Sequence, residues 1–242
     1  MTPPLLQLQA VKKHFGEVPV LKGITLDVAP GEFVAVLGPN GAGKSTLFNC
    51  VSQVMRPSSG QVRYRGEDVQ HCGAAYRRHL GYISHQLFLY GELTGLENLQ
   101  FFARLYGVEA SSRRLEVLLR EMGLHHCRDR PVRTYSRGMK QRLAITRALL
   151  HEPGLVLLDE PFTGLDQHAA TLLAGLLRRL RDEAKTVLMI SHQLEHAVQL
   201  ASRVLFLVNG RIRADLSAGQ IDPPDLARRY MEVVEQSGGG RG

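Results

Sequence analysis

The stretch GPNGAGKST, residues 38–46, decides the fold, because its glycines, lysine and hydroxyl residues have the spacing of a phosphate-binding loop. It directly follows the apolar stretch FVAVL, and we expect a helix to begin at Gly43-Lys44 and to run to about Val54. Glycines let backbone N–H groups turn toward phosphate oxygens, and the N-terminus of a helix adds positive potential. The pattern therefore predicts a strand, a phosphate-binding loop and a helix in succession.

Two side chains of this loop add specific chemistry. Lys44 is placed to reach the terminal phosphates of a nucleotide, and the Ser45 hydroxyl is placed to ligate Mg²⁺. The residues that we assign to nucleotide binding in this loop are Gly38, Asn40, Gly41, Gly43, Lys44, Ser45 and Thr46.

A second motif consists of four apolar residues, Leu155–Leu158, followed by Asp159 and Glu160. A buried parallel strand would deliver Asp159 to Mg²⁺ at its carboxyl end, and Glu160 could polarise the attacking water. Alone, this pattern fits any buried strand that ends in a solvated acidic pair. Combined with the phosphate loop, it predicts a nucleotide hydrolase.

Two further polar residues follow predicted strands. His192 comes directly after TVLMIS, where a neutral imidazole could contact the terminal phosphate and the attacking water. A histidine after a strand is more often a surface residue, but its order after the other two motifs favours the catalytic interpretation. Gln86 follows GYIS and could reach Mg²⁺ or water, although an ordinary loop glutamine fits the same position.

Composition limits the classes of protein that remain. With 242 residues, 44% of them hydrophobic, the chain can bury the core of one α/β domain or of a domain plus a lobe. Its net charge of +7 comes from scattered basic residues, which argues against a disordered nucleic-acid tail. The three cysteines share no CxxC spacing, so we expect neither disulfides nor a zinc site, and a reducing, cytoplasmic location. No window approaches the ~18 to 20 apolar residues of a membrane span, so any membrane partner must be another chain.

Patterns along the rest of the chain predict an α/β fold. Residues 5–36 alternate apolar and polar side chains as short strands do, and QVRYRG and HLGYIS read as another β pair. Between Thr94 and Arg130 the apolar residues change to helical spacing, which predicts a helical lobe inserted into a β-rich core. Beyond this lobe, helices at 136–151 and 168–183 alternate with the apolar strands LVLLD, TVLMIS and VLFLV, which is typical of a parallel α/β sheet.

Taken in this order and spacing, these motifs resemble the nucleotide-binding subunit of ATP-binding cassette (ABC) transporters, and the likeness covers nearly the whole chain. The resemblance implies a P-loop NTPase (RecA-like) core with an N-terminal antiparallel β subdomain and an inserted α-helical subdomain. It implies a single ATPase domain over residues 1–236, with the core at 1–90 and 136–236 and a helical signature lobe at 91–135. The glycine-rich residues 237–242 are expected to form a flexible tail.

The resemblance also implies ATP and Mg²⁺ as ligands and gives roles to individual residues. Phe15 matches an aromatic that stacks on adenine, although from the sequence alone it fits ordinary core equally well. The loop Thr163-Gly164-Leu165-Asp166 matches the family's loop after the catalytic glutamate. The implied catalytic residues are Glu160, His192 (the switch histidine) and Gln86 (the hinge glutamine), and the implied metal ligands are Ser45, Gln86 and Asp159.

The stretch YSRGM, residues 135–139, corresponds to the family's signature, usually LSGGQ. Ser136 and Gly138, which face phosphate in the family, are retained, whereas Arg137 and Met139 depart from the pattern. These departures leave the rate of hydrolysis and the signature contacts open. In the family the signature faces the γ-phosphate held by a partner cassette, so we expect ATP to bring two chains together head to tail, as a homodimer or as a heterodimer of cassettes.

Within the family, residues 81–108 and YSRGM look most like ATPase subunits of bacterial exporters, particularly the heme exporter ATPase of cytochrome c maturation. The implied partners are transmembrane permease subunits, which would place the chain peripherally on the cytoplasmic face of the inner membrane. The chain contains neither Cys-Pro nor CxxCH, and we interpret His125-His126-Cys127 as a solvated turn. A drug or lipid exporter is the alternative to heme export.

Two other classes fit less well. Soluble cassette ATPases that act on DNA or ribosomes usually carry coiled-coil insertions or two cassettes, whereas this chain has one cassette and a lobe of about forty residues. We therefore expect no nucleic-acid partner. A degenerate regulatory cassette is disfavoured because Lys44, Asp159, Glu160 and His192 are all present. The apolar run Leu87–Tyr90, just after Gln86, is either a docking surface for a membrane subunit or part of the lobe's own core.

Overall fold

The computed structural model describes residues 3–84, 86–192, 194–217, 219 and 223–238. Within this part of the chain the strands are β1 (Leu6–Phe15), β2 (Val18–Val28), β3 (Phe33–Leu37), β4 (Ser59–Tyr64), β5 (Glu67–Asp68), β6 (Leu80–Ile83), β7 (Leu155–Asp159), β8 (Thr186–Ile190), β9 (Arg203–Val208) and β10 (Arg211–Ser217). The helices are α1 (Lys44–Val51), α2 (Val69–Arg77), α3 (Gly95–Tyr106), α4 (Ser112–Glu121), α5 (Arg137–Leu149), α6 (Gln167–Asp182), α7 (Leu194–Leu200) and α8 (Pro223–Gly238). Short 3₁₀ turns lie at His125–Cys127 and Val132–Thr134.

The strands form two sheets of different kinds. The first has the order β2-β1-β4-β5, and its strands pair antiparallel. The second has the order β10-β9-β3-β8-β7-β6, in which β9 through β6 pair in parallel and β10 pairs antiparallel with β9. Every residue of β3, β7 and β8 is buried, as expected where both faces of a parallel sheet are covered.

Alternate residues of β7 belong to two apolar layers on opposite faces of the second sheet. Leu155 and Leu157 pack in the layer that also holds residues of the antiparallel sheet and of α1. Val156 and Leu158 pack in the other layer, which continues into the helical lobe. The period of two along a buried strand thus joins both subdomains to one sheet.

Helices α3 and α4 form the lobe, and each begins at a hydroxyl cap. The Thr94 hydroxyl accepts a hydrogen bond from the Glu97 backbone N–H, and the Glu97 carboxylate accepts one from the Thr94 N–H. Ser111 caps α4 without a reciprocal bond, its hydroxyl accepting from the Arg114 N–H. Leu99 of α3 and Leu119 of α4 lie in the same apolar layer as α5 and β7, so the lobe packs onto the sheet through its own core.

The structure corrects several local expectations. The expected β pair QVRYRG and HLGYIS is wrong, because β4 belongs to the antiparallel sheet whereas β6 is the edge of the parallel one. Between them lies helix α2, which the sequence analysis missed and which is kinked at Gly73. Helix α1 ends at Val51 rather than near Val54. Helix α8 runs through Gly238, so the first two residues of the expected tail are helical, and residues 239–242 lie outside the described residues.

The fold class expected from the sequence is confirmed: a mainly parallel α/β sheet carries an antiparallel β subdomain and an inserted helical subdomain. Within the described ranges, no helix combines the length and the apolar character needed to cross a membrane.

Candidate nucleotide site

The predicted phosphate loop connects buried β3 to α1. Gly43, the residue before α1, has φ 100°, and a Cβ there would lie 3.0 Å from the Leu21 side chain and 3.2 Å from the Val20 carbonyl oxygen. Glycine is therefore the residue that this turn tolerates. No side chain caps α1, and its first turn contains no acidic residue. The first N–H groups of the helix lack carbonyl partners within the helix, which makes this end suited to an anion.

Lys44 is buried within the loop and hydrogen-bonds to its backbone. Its side chain is only 8% exposed, and its ammonium donates hydrogen bonds to the carbonyl oxygens of Gly38 (2.7 Å) and Pro39 (3.0 Å). Burial lowers the pKa of Lys44, while the charges of Glu160 and Asp159 act in the opposite direction. The lysine predicted to bind phosphate therefore lies in the electrostatic field of both predicted acidic residues.

Three neighbouring strands bring the motifs to one edge of the parallel sheet. Strand β8 lies between β3 and β7, and its Ile190 pairs with Val36 on one side and Asp159 on the other. The phosphate loop, His192 and the Asp159-Glu160 pair all follow the carboxyl ends of these strands. Such an edge is where ligands bind in open α/β sheets.

Glu160 is held on two sides. It has φ 54°, and its N–H donates to the carbonyl oxygen of Ile190 (3.1 Å). Its carboxylate accepts a hydrogen bond from the Thr163 hydroxyl (3.1 Å) and contacts His192 Nδ1. The Glu160 side chain is 14% exposed and that of His192 56% exposed. The structure therefore brings the two predicted catalytic residues together, with the histidine on the solvent side.

The predicted metal ligands offer oxygen donors of the kind that Mg²⁺ prefers. Ser45 is exposed in the first turn of α1, and Asp159 is buried at the end of β7. In the described part of the chain no three His, Cys, Asp or Glu residues form a cluster that could hold a metal. One carboxylate and one hydroxyl suit Mg²⁺, because this ion is usually held by one or two protein groups together with phosphates and water.

Gln86 and Phe15 lie at the surface. Gln86 is exposed, and its backbone carbonyl accepts a hydrogen bond from the Ser84 hydroxyl (2.8 Å). Its neighbours Ser84 and Leu87 line a small cavity with Asp159 and Glu160, whereas Gln86 itself is not part of that lining. The Phe15 ring is 48% exposed, so the alternative of an ordinary core residue is wrong. Adenine stacking by Phe15 stays a prediction.

The signature spans the start of α5. Tyr135 is buried, and its hydroxyl donates to the Cys127 carbonyl oxygen (2.7 Å). Ser136 is exposed and is the N-cap of α5, where its hydroxyl accepts a hydrogen bond from the Met139 N–H (3.2 Å). The side chain of Met139 packs against the apolar layer of the lobe, which gives this departure from the signature a structural role. Gly138 lies in the first turn beside Leu165.

Residues 21–163 match the family described as ABC transporter, and this segment covers more than half of the chain. It contains the phosphate loop and the Asp159-Glu160 pair. The chain belongs to the ABC transporter family.

Individual ABC proteins extend the likeness over nearly the full chain. The daunorubicin resistance ATP-binding protein DrrA3 of Streptomyces coeruleorubidus is 34% identical over 98% of this chain and 76% of its own length. The sulfate/thiosulfate import ATP-binding protein CysA of Caulobacter vibrioides is 36% identical over 95% of this chain and 68% of its own length. A solved dimeric ATP-binding cassette, in a post-hydrolysis state with ADP and phosphate, matches with a TM-score of 0.80 and 28% identity over 88% of this chain and 98% of that chain. This ABC chain is an ATP-binding, ATP-hydrolysing subunit.

Sequence reasoning did not foresee two contacts in this ABC cassette's site, although Thr163 was already assigned to the loop after Glu160. Thr163, which holds Glu160, comes three residues after it, and Gln141 of α5 donates to the Pro161 carbonyl oxygen (3.4 Å). Spacing could have suggested Thr163, whereas the contact of Gln141 joins distant segments and leaves no local signal. The interpretation of 125–127 as a solvated turn is wrong for Cys127, which is buried with its thiol donating to the Leu124 carbonyl oxygen.

Proposed function

We propose that this ABC cassette powers export through separate transmembrane permease subunits, by ATP-driven head-to-tail dimerisation. One observation carries the ATPase part of the proposal: Lys44, Glu160 and His192 lie beyond the carboxyl ends of three adjacent parallel strands, with Glu160 in contact with His192. This arrangement supplies a cation for the terminal phosphates and a carboxylate for the attacking water within one chain.

The residues of the site divide the work of hydrolysis. Lys44 binds the terminal phosphates, assisted by the N–H groups of the loop and of α1. Glu160 orients and polarises the attacking water, while Thr163 and His192 hold its carboxylate in place. Ser45 and Asp159 would hold Mg²⁺, which neutralises phosphate charge when bound. Gln86 is assigned to the hinge between the core and the lobe, and Phe15 to adenine.

The signature supports assembly of two chains. Ser136 is exposed at the N-terminus of α5, where a phosphate held by a second chain would meet its hydroxyl and the Gly138 N–H. The solved cassette that matches over 88% of this chain is a dimer. The dimer supports pairing of two chains, and the exposed position of Ser136 supports a head-to-tail arrangement with ATP between them.

An exposed apolar patch supports docking to a membrane subunit. It consists of Phe88, Tyr90, Phe101 and Leu105, and we call it the Phe88 surface. Phe88 and Tyr90 are 46% and 49% exposed, whereas Leu89 packs against the apolar layer of the lobe, so the expectation of core burial is wrong for Phe88 and Tyr90 but holds for Leu89. The Arg147 guanidinium lies 5.9 Å from the Phe88 ring centre and donates to the carbonyl oxygen of Tyr82 in β6. The surface thus adjoins the strand that leads to Gln86.

In this proposal the transported cargo is determined by the permease subunits rather than by this chain. The names of the two relatives given above differ in role, one stating daunorubicin resistance and the other sulfate/thiosulfate import. Export rests on the resemblance of residues 81–108 and of the signature to exporter subunits. Heme export has that resemblance as its only support, and drug or lipid export is the second candidate, favoured by the name of the daunorubicin resistance relative.

Glu160→Gln tests the chemistry. Glutamine preserves the shape of the side chain but cannot act as a base, so turnover should fall by roughly 10² to 10⁴ while ATP affinity is kept. The ATP-bound dimer should then accumulate and be detected by sedimentation. Glu152→Gln is the matched control, because Glu152 is exposed and pairs with Arg114 away from the site. Near-normal turnover in Glu160→Gln would remove Glu160 from the mechanism.

Phe88→Asp tests the partner. A carboxylate on the Phe88 surface should abolish association with the permease subunits. The measurement is the fraction of the protein that sediments with the membrane fraction of cells that express its native permease. Val117→Asp is the control, since Val117 is 49% exposed on α4, outside this patch. Thermal unfolding of both variants checks that the fold is kept. Undisturbed association of a folded Phe88→Asp chain would contradict the docking role.

A further inference from the structure

The third signature residue, Arg137, packs against the loop that carries Glu160 in the same chain. We call residues 160–166 the Glu160 loop. A Cβ placed on Gly164 of this loop would lie 2.8 Å from Arg137 Nε and 3.1 Å from its Cδ and Cζ. Gly164 also has φ 77°, in the left-handed region that favours glycine. The loop therefore lacks a side chain at the point where the arginine passes.

Other residues of α5 follow the same loop. Gln141, one turn after Arg137, donates to the Pro161 carbonyl oxygen, and Gly138 lies against Leu165. The hydrogen bond of Gln141, together with the close approach of Arg137 to Gly164, places the start of α5 alongside the Glu160 loop. A displacement of this end of the helix would therefore also displace the loop.

A small cavity connects Arg137 to the acidic residues. Its volume is about 40 Å³, and its lining includes Arg137, Gln141, Asp159, Glu160 and Thr163. A space of this size holds on the order of one water molecule. Arg137 and Glu160 therefore both border the same water-sized space.

We propose that Arg137 is a positioning residue that couples the signature of each chain to the Glu160 loop of that same chain. The inference rests on the proposed head-to-tail dimer, in which Ser136 faces ATP held by the partner while Glu160 acts on ATP held by its own chain. Arg137 is the next residue after Ser136 and contacts the Glu160 loop, so it lies between the two composite sites. Binding of phosphate at Ser136 fixes the start of α5, and Arg137 then fixes the loop that carries Glu160.

The consequence is that ATP at one site speeds hydrolysis at the other. Allosteric coupling of this kind is commonly about 5- to 150-fold. A chain whose signature faces an empty site should hold Glu160 less well and turn over more slowly. Removal of Arg137 should make the two sites independent, whatever it does to the absolute rate.

The experiment disables one of the two sites. A chain with intact Lys44 is mixed with an excess of Lys44→Ala chain, about tenfold or more, until turnover per intact chain reaches a plateau. Each working chain then has one intact site, and its own signature faces the disabled loop of the partner. The measured quantity is turnover per intact chain in the mixture divided by turnover per chain in the homodimer.

With Arg137 present, we expect this ratio to be one fifth or less. With Arg137→Ala in both chains, we expect it to lie within twofold of one, and Arg137→Lys should keep part of the coupling because it keeps a long cationic side chain. A merely structural effect of the substitution would lower turnover in the mixture and in the homodimer by the same factor, and the ratio would stay unchanged. Arg133→Ala in both chains is the matched control, since Arg133 is exposed nearby and pairs with Glu92.

Two results would overturn the inference: a ratio near one in chains that keep Arg137, with the heterodimer present by sedimentation, or an unchanged low ratio in Arg137→Ala. Failure of the proposed function looks different. In that case the unmodified chain shows no ATP-dependent dimer at all, whichever residue stands at 137.

Discussion

Helices α1 and α5 both begin where an anion could meet their N-termini, but the two starts are built differently. At α1, Gly43 leaves the helix without a side-chain cap, and buried Lys44 supplies a cation from the same chain. At α5, the exposed Ser136 hydroxyl is itself the cap, with Arg137 directed to the Glu160 loop. In the proposed dimer the first start brings its own cation to the phosphate, whereas the second offers only a hydroxyl and backbone N–H groups to a phosphate held by another chain.

The two starts also differ in what they cost. Burying an ammonium group is unfavourable by several kcal/mol unless hydrogen bonds compensate, and Lys44 finds two carbonyl oxygens within its own loop. An exposed serine cap requires no such compensation and stabilises its helix by about 1 kcal/mol. The loop at α1 therefore depends on hydrogen bonds within the fold to keep Lys44 buried. The start of α5 needs no such compensation and is an ordinary capped helix in the single chain.

The test with the largest expected effect mixes two variant chains, one with a disabled α5 start and the other with a disabled α1 start. Ser136→Arg fills the α5 start but leaves the phosphate loop intact, and Lys44→Ala does the reverse, so each variant alone should be nearly inactive. Mixed in equal amounts, half of the dimers are heterodimers with one sound site out of two. Random pairing and independent sites then predict at most about a quarter of the unmodified ATPase activity.

Coupling between the sites would lower that recovery. The same mixture, with Glu160→Gln added to both chains, is therefore also examined for ATP-dependent heterodimers by sedimentation. A signature that acts on ATP within its own chain would give neither recovered turnover nor a heterodimer, and the two starts would then not differ in the way proposed.

A smaller effect separates the capping role of Ser136 from its role toward phosphate. Aspartate caps helices as well as serine does, so Ser136→Asp should leave the free energy of unfolding unchanged within about 0.5 kcal/mol, whereas Ser136→Ala should lower it by about 1 kcal/mol. In ATP-dependent dimerisation the order should reverse, because the aspartate carboxylate repels phosphate. Denaturant unfolding and sedimentation measure the two quantities.

Ser111 provides the matched control for this pair. It caps α4 with the same geometry, its hydroxyl accepting from the Arg114 N–H. Alanine and aspartate at position 111 should reproduce the two stability changes without altering dimerisation. If Ser136→Asp dimerised as well as the unmodified chain, Ser136 would be a cap alone.

The sequence alone was sufficient to predict those parts of the site whose residues lie close together in the chain. The phosphate loop and the Asp159-Glu160 pair each lie within a few residues at the end of an apolar strand, and both occupy the expected edge of the sheet. His192 was placed in the site, but its contact with Glu160 depends on the order of β8 and β7, which no local pattern contains. The contact between Arg137 and Gly164 was also missed, because it depends on how α5 lies along a distant loop. The assignment of β4 and β6 to one pair failed for a related reason, since the pattern of each segment predicts a strand but not the strand with which it pairs.

Three adjacent signature residues each belong to a different environment. Tyr135 is anchored in the lobe through the Cys127 carbonyl, Ser136 is open to solvent, and Arg137 lies on the Glu160 loop. In a saturation-mutagenesis screen, neighbouring codons should therefore sort into separate phenotypes. Changes at 135 would reduce the abundance of the protein, changes at 136 would leave an abundant chain that fails to pair, and changes at 137 would leave pairs that have lost their cooperation.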